Sequence, residues 1–358
     1  MRNRWIKGLI VAGALMLVPA APVAAQQDLA ISHGEAWTHA HSGITVPATL
    51  GGNALTKAKA YAQDELDVGL SFEPEGAEDY VSFYIFRNTN GGVPVWFAQA
   101  QWAIENRDQF GKPGLIIPPQ AFIPPGQTGA TGLKAVYQPH GDAGYKSTGL
   151  ALLPFGDWYV KIRITSRTKS PQQLSALIDG VLNEIRWPTG TTTEAPVAVP
   201  IADCTPVLDF PVAAKDAPQS SGTGIAEAFG IILTSGDSTR FMRPKAPATW
   251  CRDSPISDNQ RLYRPNGSPD HYLVALGDNG NAVLVGTAAA WGFMPPSKEK
   301  PAPYSIQFVD AFESTLYAPQ DRLPSPDRVI EIINANRVVA KLNTWGKNTN
   351  IEIASDPK

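Results

Sequence analysis

Several stretches of the chain alternate between apolar and polar residues, as β-strands do. In the stretch 156–165, one set of alternate positions holds Trp158, Val160, Ile162 and Ile164. The other set holds Tyr159, Lys161, Arg163 and Thr165. Because successive side chains of a strand point to opposite faces, this pattern predicts a strand with one apolar and one polar face. Tyr159, Lys161 and Arg163 are therefore candidate binding residues, although the solvent-facing side of an ordinary strand explains the same pattern.

The first half of the chain combines further strand patterns with two helix patterns. Strands are predicted at 57–65, 66–72, 80–87, 133–138 and 145–153. The stretch 80–87 is aromatic and β-branched and is apolar on both faces, which favours a central strand. Apolar residues recur at helical spacing over 93–108 and 168–187, and Ser170 and Pro171 fit the start of the second helix.

The second half predicts a hairpin and one further strand. Two apolar runs flank a turn rich in Gly and Asn near residues 277–280, which is typical of a β-hairpin. The stretch 304–317 alternates in part and predicts a strand. The segments 79–102 and 270–291 share an Asp start, a polar turn and a final Trp. That likeness fits a decayed duplication, or only the common requirements of a turn.

A helix is predicted over 325–343. Ser325 fits the N-cap, Pro326 fits the first helical position, and Asp327 lies at the positive end of the helix dipole. Apolar residues at helical spacing then continue as far as Leu342.

The stretch 187–203 separates the two halves. It is rich in Thr, Pro and Ala and has no apolar periodicity, which favours a linker. A chain of 358 residues also suggests two domains by its length. We therefore expect a mainly antiparallel α+β domain packed by helices at 28–188, a linker at 189–201, and a smaller α+β domain at 202–358.

The N-terminus has the pattern of a secretory signal peptide. Three basic residues precede an apolar run at 8–18, and the small residues Val23 and Ala25 fit cleavage after Ala25. The apolar run is short for a transmembrane span, although an uncleaved anchor is the alternative. We expect a bacterial protein, periplasmic or secreted, with residues 1–25 removed and no transmembrane segment after cleavage.

Charge and cysteine content refine this expectation. Cleavage would remove three basic residues and no acidic one, so the net charge would fall from −3 to −6. Nucleic-acid binding needs a concentrated basic surface, so no nucleic-acid partner is expected. The two cysteines, Cys204 and Cys251, are expected to form a disulfide worth roughly 4 kcal/mol in an oxidising compartment. A free thiol pair or a metal site is the alternative.

Motifs for catalysis or cofactor binding are weak. His33, His39 and His41 lie close together in sequence, and two histidines separated by a single residue on a strand can hold Zn or Cu. A third ligand is not evident, and exposed histidines explain the cluster more simply, so no metal is predicted. The GxSxG motif does not occur, and the stretch 221–230 is a broken dinucleotide-binding pattern. Neither a catalytic residue nor a cofactor is therefore predicted.

The stretch 111–132 is a long loop that contains the unit apolar-apolar-Pro-Pro twice. Such a segment is expected to be extended, polyproline-like and unable to join the centre of a sheet. Long loops in compact domains tend to have a function. Ile117, Phe122 and Ile123 are therefore candidate binding residues, while a loop that only covers a sheet edge is the alternative.

The order of elements in the first half resembles the PsbP-like fold family, which includes an extrinsic subunit of photosystem II and periplasmic DcrB-like proteins. The resemblance rests on Ser42-Gly43-Ile44 with Pro47, on Gly51-Gly52, on 80–87, and on 158–164 with its Lys161 and Arg163. It covers less than half of the chain, and the second half resembles no family that we recognise. Unlike DcrB, the chain lacks a cysteine for lipid attachment.

Members of that fold family are mostly accessory and binding proteins, so the resemblance implies a non-catalytic role. We therefore expect an exported, non-catalytic binding or assembly accessory protein of the cell envelope, with another envelope protein as its partner. The alternative is a hydrolase whose site is assembled from residues distant in sequence, because catalytic triads need not be local.

Overall fold

The structure is a computed structural model that describes residues 26–32, 34–191, 193–218, 249–257, 260–292, 302–346 and 350–354. The expected signal peptide, His33 and the stretch 221–230 lie outside the described residues. The described part contains two large, mainly antiparallel sheets and three α-helices. The predicted α+β class with antiparallel strands is confirmed at this level. None of the helices described here is long and apolar enough to cross a membrane.

In the first half of the chain, the described residues supply twelve strands. They are β1 (Gln27–Asp28), β2 (Trp37–Thr38), β3 (Thr45–Val46), β4 (Thr49–Leu50), β5 (Asn53–Ala54), β6 (Lys57–Ala60), β7 (Asp67–Phe72), β8 (Asp79–Arg87), β9 (Gly114–Phe122), β10 (Gly132–Gln138), β11 (Ser147–Phe155) and β12 (Trp158–Ser166). Eight of them form the first sheet in the order β1-β6-β7-β8-β12-β11-β10-β9, and the other four form two short ribbons. The strand predicted at 80–87 is β8, which lies inside the sheet between β7 and β12.

The described residues of the second half supply nine strands. They are β13 (Ala202–Asp203), β14 (Trp250–Ser257), β15 (Gln260–Pro265), β16 (Tyr272–Leu276), β17 (Ala282–Gly286), β18 (Tyr304–Val309), β19 (Glu313–Gln320), β20 (Val338–Asn343) and β21 (Ile351–Ile353). They form one sheet in chain order. The disulfide between Cys204 and Cys251 is present, as predicted, and joins the residue after β13 to β14.

The three helices are α1 (Val93–Glu105), α2 (Pro171–Glu184) and α3 (Pro326–Asn334). The start predicted for α2 is confirmed, because the Ser170 hydroxyl accepts a hydrogen bond from the backbone N–H of Gln173, whose side chain accepts one from the Ser170 N–H. These reciprocal bonds satisfy two N–H groups that the first helical turn leaves unpaired.

Within the described part of the chain, buried apolar residues form three clusters. The first joins one face of the first sheet to α2, with Ile162 and Leu174 among its residues. The second joins α1 to both sheets and includes Trp96, Leu152 and Leu273. The third joins the second sheet to α3. The two halves of the chain thus share a core around α1, and the division into domains at 189–201 stays a prediction.

Two predictions for the second half were wrong in detail. The helix predicted over 325–343 ends at Asn334, and β20 follows. Asn336 has a φ of 51°, which ends the helical path, and Val338 and Val339 are β-branched and favour a strand. The stretch 304–317 contains parts of two strands, β18 and β19, because the carboxylate of Asp310 accepts N–H bonds that close a turn between them.

The segments 79–102 and 270–291 fold differently. In the first, strand β8 is followed by helix α1. In the second, strand β16 is followed by strand β17. The two segments therefore give no structural support for an internal duplication.

Candidate functional site

The polar face of β12 lies against the second sheet. Lys161 is 2 % exposed, and its Nζ is 2.8 Å from Oδ2 of Asp278 and donates to the Asp278 carbonyl oxygen at 2.9 Å. Arg163 contacts the same carboxylate. Tyr159 is buried beside Phe86. The structure therefore brings Lys161 and Arg163 together on one acidic side chain of the same chain.

Asp278 belongs to the turn Gly277–Gly280 between β16 and β17, and three neighbouring side chains hold the rest of that turn. Gln99 donates to the carbonyl of Gly277 at 2.7 Å, and Asn90 donates to the carbonyl of Gly280 at 2.7 Å. Asn279 donates to Oδ2 of Asp67 at 2.9 Å. Five residues of the first half thus contact this turn through hydrogen bonds or ion pairs. We call them the polar socket; they are Asp67, Asn90, Gln99, Lys161 and Arg163.

Gly280 is required by the close approach of the turn to the first sheet. Its φ is 93°, which side chains rarely adopt, and a Cβ there would lie 3.3 Å from the ring of Phe86. The sequence pattern of glycines and Asn correctly predicted a turn here, but it did not indicate what the turn contacts.

Burial and charge pairing control ionisation in the socket. Burial lowers the pKa of Lys161, and the Asp278 carboxylate counteracts this. Burial alone would raise the pKa of Asp278, but Lys161 and Arg163 hold it well below its usual range. Burial raises the pKa of Asp67 to about 6, although Asn279 and Lys161 act in the opposite direction. The Lys161 ammonium also lies 4.8 Å from the centre of the Tyr84 ring, within range of a cation–π contact.

The predicted loop at 111–132 contains the edge strand β9, which pairs with β10 on one side. Ile117 and Phe122 are partly buried against the first cluster, whereas Ile123 is 59 % exposed. Leu115 and Ile116, which the sequence pattern did not single out, are 45 % and 44 % exposed. We call Leu115, Ile116 and Ile123 the edge surface.

The segment around the edge surface is uncharged. No Asp, Glu, Lys or Arg occurs between Lys112 and Lys134. Within β9, Pro118 and Pro119 lack an N–H group, and the pairing with β10 is irregular near them. A further strand could not form a continuous ladder with this edge, so the side chains are its principal contact groups.

The histidine cluster does not form a metal site among the described residues. Both ring nitrogens of His39 are occupied, Nδ1 by Ser42 and Nε2 by the carbonyl of Glu65. Within the described part of the chain, no group of three His, Cys, Asp or Glu side chains is placed to hold a metal ion.

A group of polar residues around one histidine was not predicted from the sequence. It contains Ser268, Asp270 and His271. The Ser268 hydroxyl and the Asp270 carboxylate each lie 2.7 Å from Nδ1 of His271. In a Ser-His-Asp triad the serine and the carboxylate contact opposite nitrogens of the ring. These three residues therefore close a local turn and lack the geometry of a triad.

Comparison of the chain with protein-family models, curated proteins and solved structures finds no match. The resemblance of the first half to the PsbP-like family therefore stays an expectation from the sequence.

Proposed function

We propose that this protein is an exported, non-catalytic binding or assembly protein of the cell envelope, and that it contacts its partner through the edge surface. The observation that carries the proposal is the exposure of Leu115, Ile116 and Ile123 at the outer edge of an eight-stranded sheet. Apolar side chains exposed at a surface can be removed from water by a protein partner, and that burial favours association.

The composition of this edge favours a particular kind of partner. An uncharged segment offers no ion pairs, so the partner is expected to present an apolar surface of its own. The two prolines disfavour strand addition, so the partner is expected to pack against side chains and not to extend the sheet. Export is supported by the N-terminal pattern of the sequence, and the disulfide is usual for proteins outside the cytosol.

Site-specific photo-crosslinking in the producing cells tests the proposal. A photoreactive amino acid in place of Ile116 or Ile123 is expected to yield one discrete protein adduct. Val212 provides a matched control, because it is also apolar and is 55 % exposed, but lies outside the edge surface. The proposal is wrong if both edge positions give no adduct, or if Val212 gives the same adducts.

A further inference from the structure

His39 and His41, which are separated by a single residue, form hydrogen bonds with the backbone carbonyls of two consecutive residues. Nε2 of His39 lies 3.0 Å from the carbonyl oxygen of Glu65, and Nε2 of His41 lies 2.9 Å from that of Asp64. A carbonyl oxygen only accepts hydrogen bonds, so each Nε2 carries a hydrogen and donates it.

His39 is placed to be neutral. The backbone N–H of Ser42 points at Nδ1 of His39 at 3.2 Å, and the Ser42 hydroxyl is 2.9 Å from the same atom. A proton added to Nδ1 could be donated to the Ser42 hydroxyl, but the Ser42 backbone N–H would then lose its acceptor and face a second N–H group. The side chain is buried, so solvent cannot compensate without a rearrangement.

The two carbonyls belong to residues with left-handed backbone conformations. Asp64 has a φ of 53° and Glu65 a φ of 55°, in the short 3-10 turn Gln63–Glu65 between β6 and β7. Asp tolerates this region better than most residues, whereas Glu disfavours it. Such conformations persist when surrounding contacts hold them, and the two histidines supply contacts of that kind.

The same turn contacts the second half of the chain. Nε1 of Trp345, in the segment after β20, donates to the carboxylate of Asp64. The ring of Trp345 also lies 4.9 Å from that of His41 and 6.0 Å from that of Trp158, between ring centres. A change in the turn would therefore be transmitted to the contact between Trp345 and the first sheet.

We propose that His39, His41 and the left-handed turn at Asp64–Glu65 form an acid-sensitive clamp. Uptake of one solvent proton at Nδ1 of His39 breaks the bond from the Ser42 N–H and places a charge on a buried ring. Because the cost of burying that charge exceeds the gain from a stronger bond to the Glu65 carbonyl, the ring moves out toward solvent and releases that carbonyl. The turn then relaxes, and Trp345 loses its contact with Asp64.

The surroundings of His39 set the direction of this response. The titratable or charged groups around the ring are His41, Asp64, Glu65 and, beyond the ring of Trp345, Arg87. Burial lowers the pKa of His39 to about 4, against the effect of the Glu65 hydrogen bond and with a smaller contribution from His41. The folded protein thus binds this proton more weakly than the unfolded chain. The stabilising effect of neutral His39 is fully present above its ordinary pKa of 6.5 and is lost as the pH falls through about 4.

Hydrogen–deuterium exchange of the full chain, corrected for the intrinsic effect of pH, tests the clamp. Between about pH 7 and about pH 4, exchange in peptides covering 36–46 and 61–67 is expected to rise by roughly tenfold or more. Exchange in β10 and β11 is expected to change much less. Equal protection of the clamp peptides at both pH values would overturn the proposal.

Two variants separate the clamp from general acid sensitivity. His39→Gln retains an N–H donor but cannot take up a proton, so hydrogen exchange in peptides 36–46 and 61–67 of this variant should no longer rise in acid. His271→Gln, in the second half of the chain, is the matched control and should retain that rise. If His39→Gln does not fold, Glu65→Gly serves instead. Glycine adopts the left-handed backbone conformation without strain, so the turn should depend less on the histidines and the acid-induced rise in exchange should be smaller. A full increase in His39→Gln, or in Glu65→Gly, contradicts the clamp.

Discussion

Lys161 and Arg163 of the polar socket and Ile123 of the edge surface were all predicted as candidate binding residues, and the structure places them in opposite surroundings. Lys161 and Arg163 in the socket are paired with Asp278 of the same chain, whereas Ile123 of the edge surface is 59 % exposed. The charged residues contact an internal partner, and the uncharged residues face solvent.

This difference shows that a polar strand face is weak evidence for an external ligand. A buried cation needs a partner wherever one can be found, and a turn from a second sheet can provide it. Exposed apolar residues at the edge of a sheet have no such requirement within the chain, and their burial against another protein would be favourable. The socket should therefore govern stability, and the edge surface should govern binding.

The largest effect is expected for Lys161→Met. The substitution removes one of the two cations that compensate Asp278, and breaking a buried ion pair in this way typically costs several kcal/mol. We expect the free energy of unfolding at neutral pH to fall by roughly 3 kcal/mol, as measured by urea denaturation.

Lys134→Met is the matched control for that measurement. Nζ of Lys134 lies 2.6 Å from Oδ2 of Asp179, whose side chain is 51 % exposed. Loss of this ion pair should therefore lower the free energy of unfolding by less than about 1 kcal/mol. Equal losses in the two variants would show that the socket contributes no more to stability than a surface ion pair.

Protonation of Asp67 is expected to have a smaller effect on the free energy of unfolding. Burial raises the pKa of Asp67 from 3.8 to about 6, so the folded protein binds this proton more tightly than the unfolded chain. The contribution of Asp67 to stability is therefore greatest below about pH 4 and is lost as the pH rises through about 6, by roughly 2–3 kcal/mol. Asp67→Asn should lack this loss, as shown by urea denaturation across that pH range.

His39 acts in the opposite direction over an overlapping range, so the informative quantity is the difference between the curves of the protein and the Asp67→Asn variant. That difference should change by a similar amount when both proteins also carry His39→Gln. A difference that does not vary with pH would mean that burial does not raise the pKa of Asp67 in the folded protein.

The sequence correctly predicted those elements that are indicated by residues close together in the chain. Ser170 and Pro171 indicated the start of α2, and the glycine-rich turn between β16 and β17 indicated a hairpin. The end of α3 was missed because apolar residues at helical spacing continue to Leu342. The left-handed conformation of Asn336, which ends the helix, leaves no mark in that pattern.

The contacts of the candidate sites were not predictable in this way. Lys161 and Asp278 are far apart in the chain, and nothing near either residue indicates that they pair. The exposure of Leu115 and Ile116 depends on β9 being the last strand of its sheet, and hydrophobicity along the chain does not give strand order. The histidine pattern was visible, but its contacts with Asp64 and Glu65 depend on the fold.

The smallest effect on stability is expected at the edge surface, where the triple variant Leu115→Ser, Ile116→Ser and Ile123→Ser changes only exposed side chains. Each substitution should alter the free energy of unfolding by no more than about 0.5 kcal/mol. If the edge surface binds a partner, the triple variant should nevertheless lose the adduct formed by a photoreactive residue at the neighbouring Gln120. The matched control, with serine at the exposed Val197, Val199 and Val212, should keep that adduct. A triple variant that unfolds much more easily would assign the edge to the core of the fold, whereas an unchanged adduct would leave the apolar edge without a role in binding.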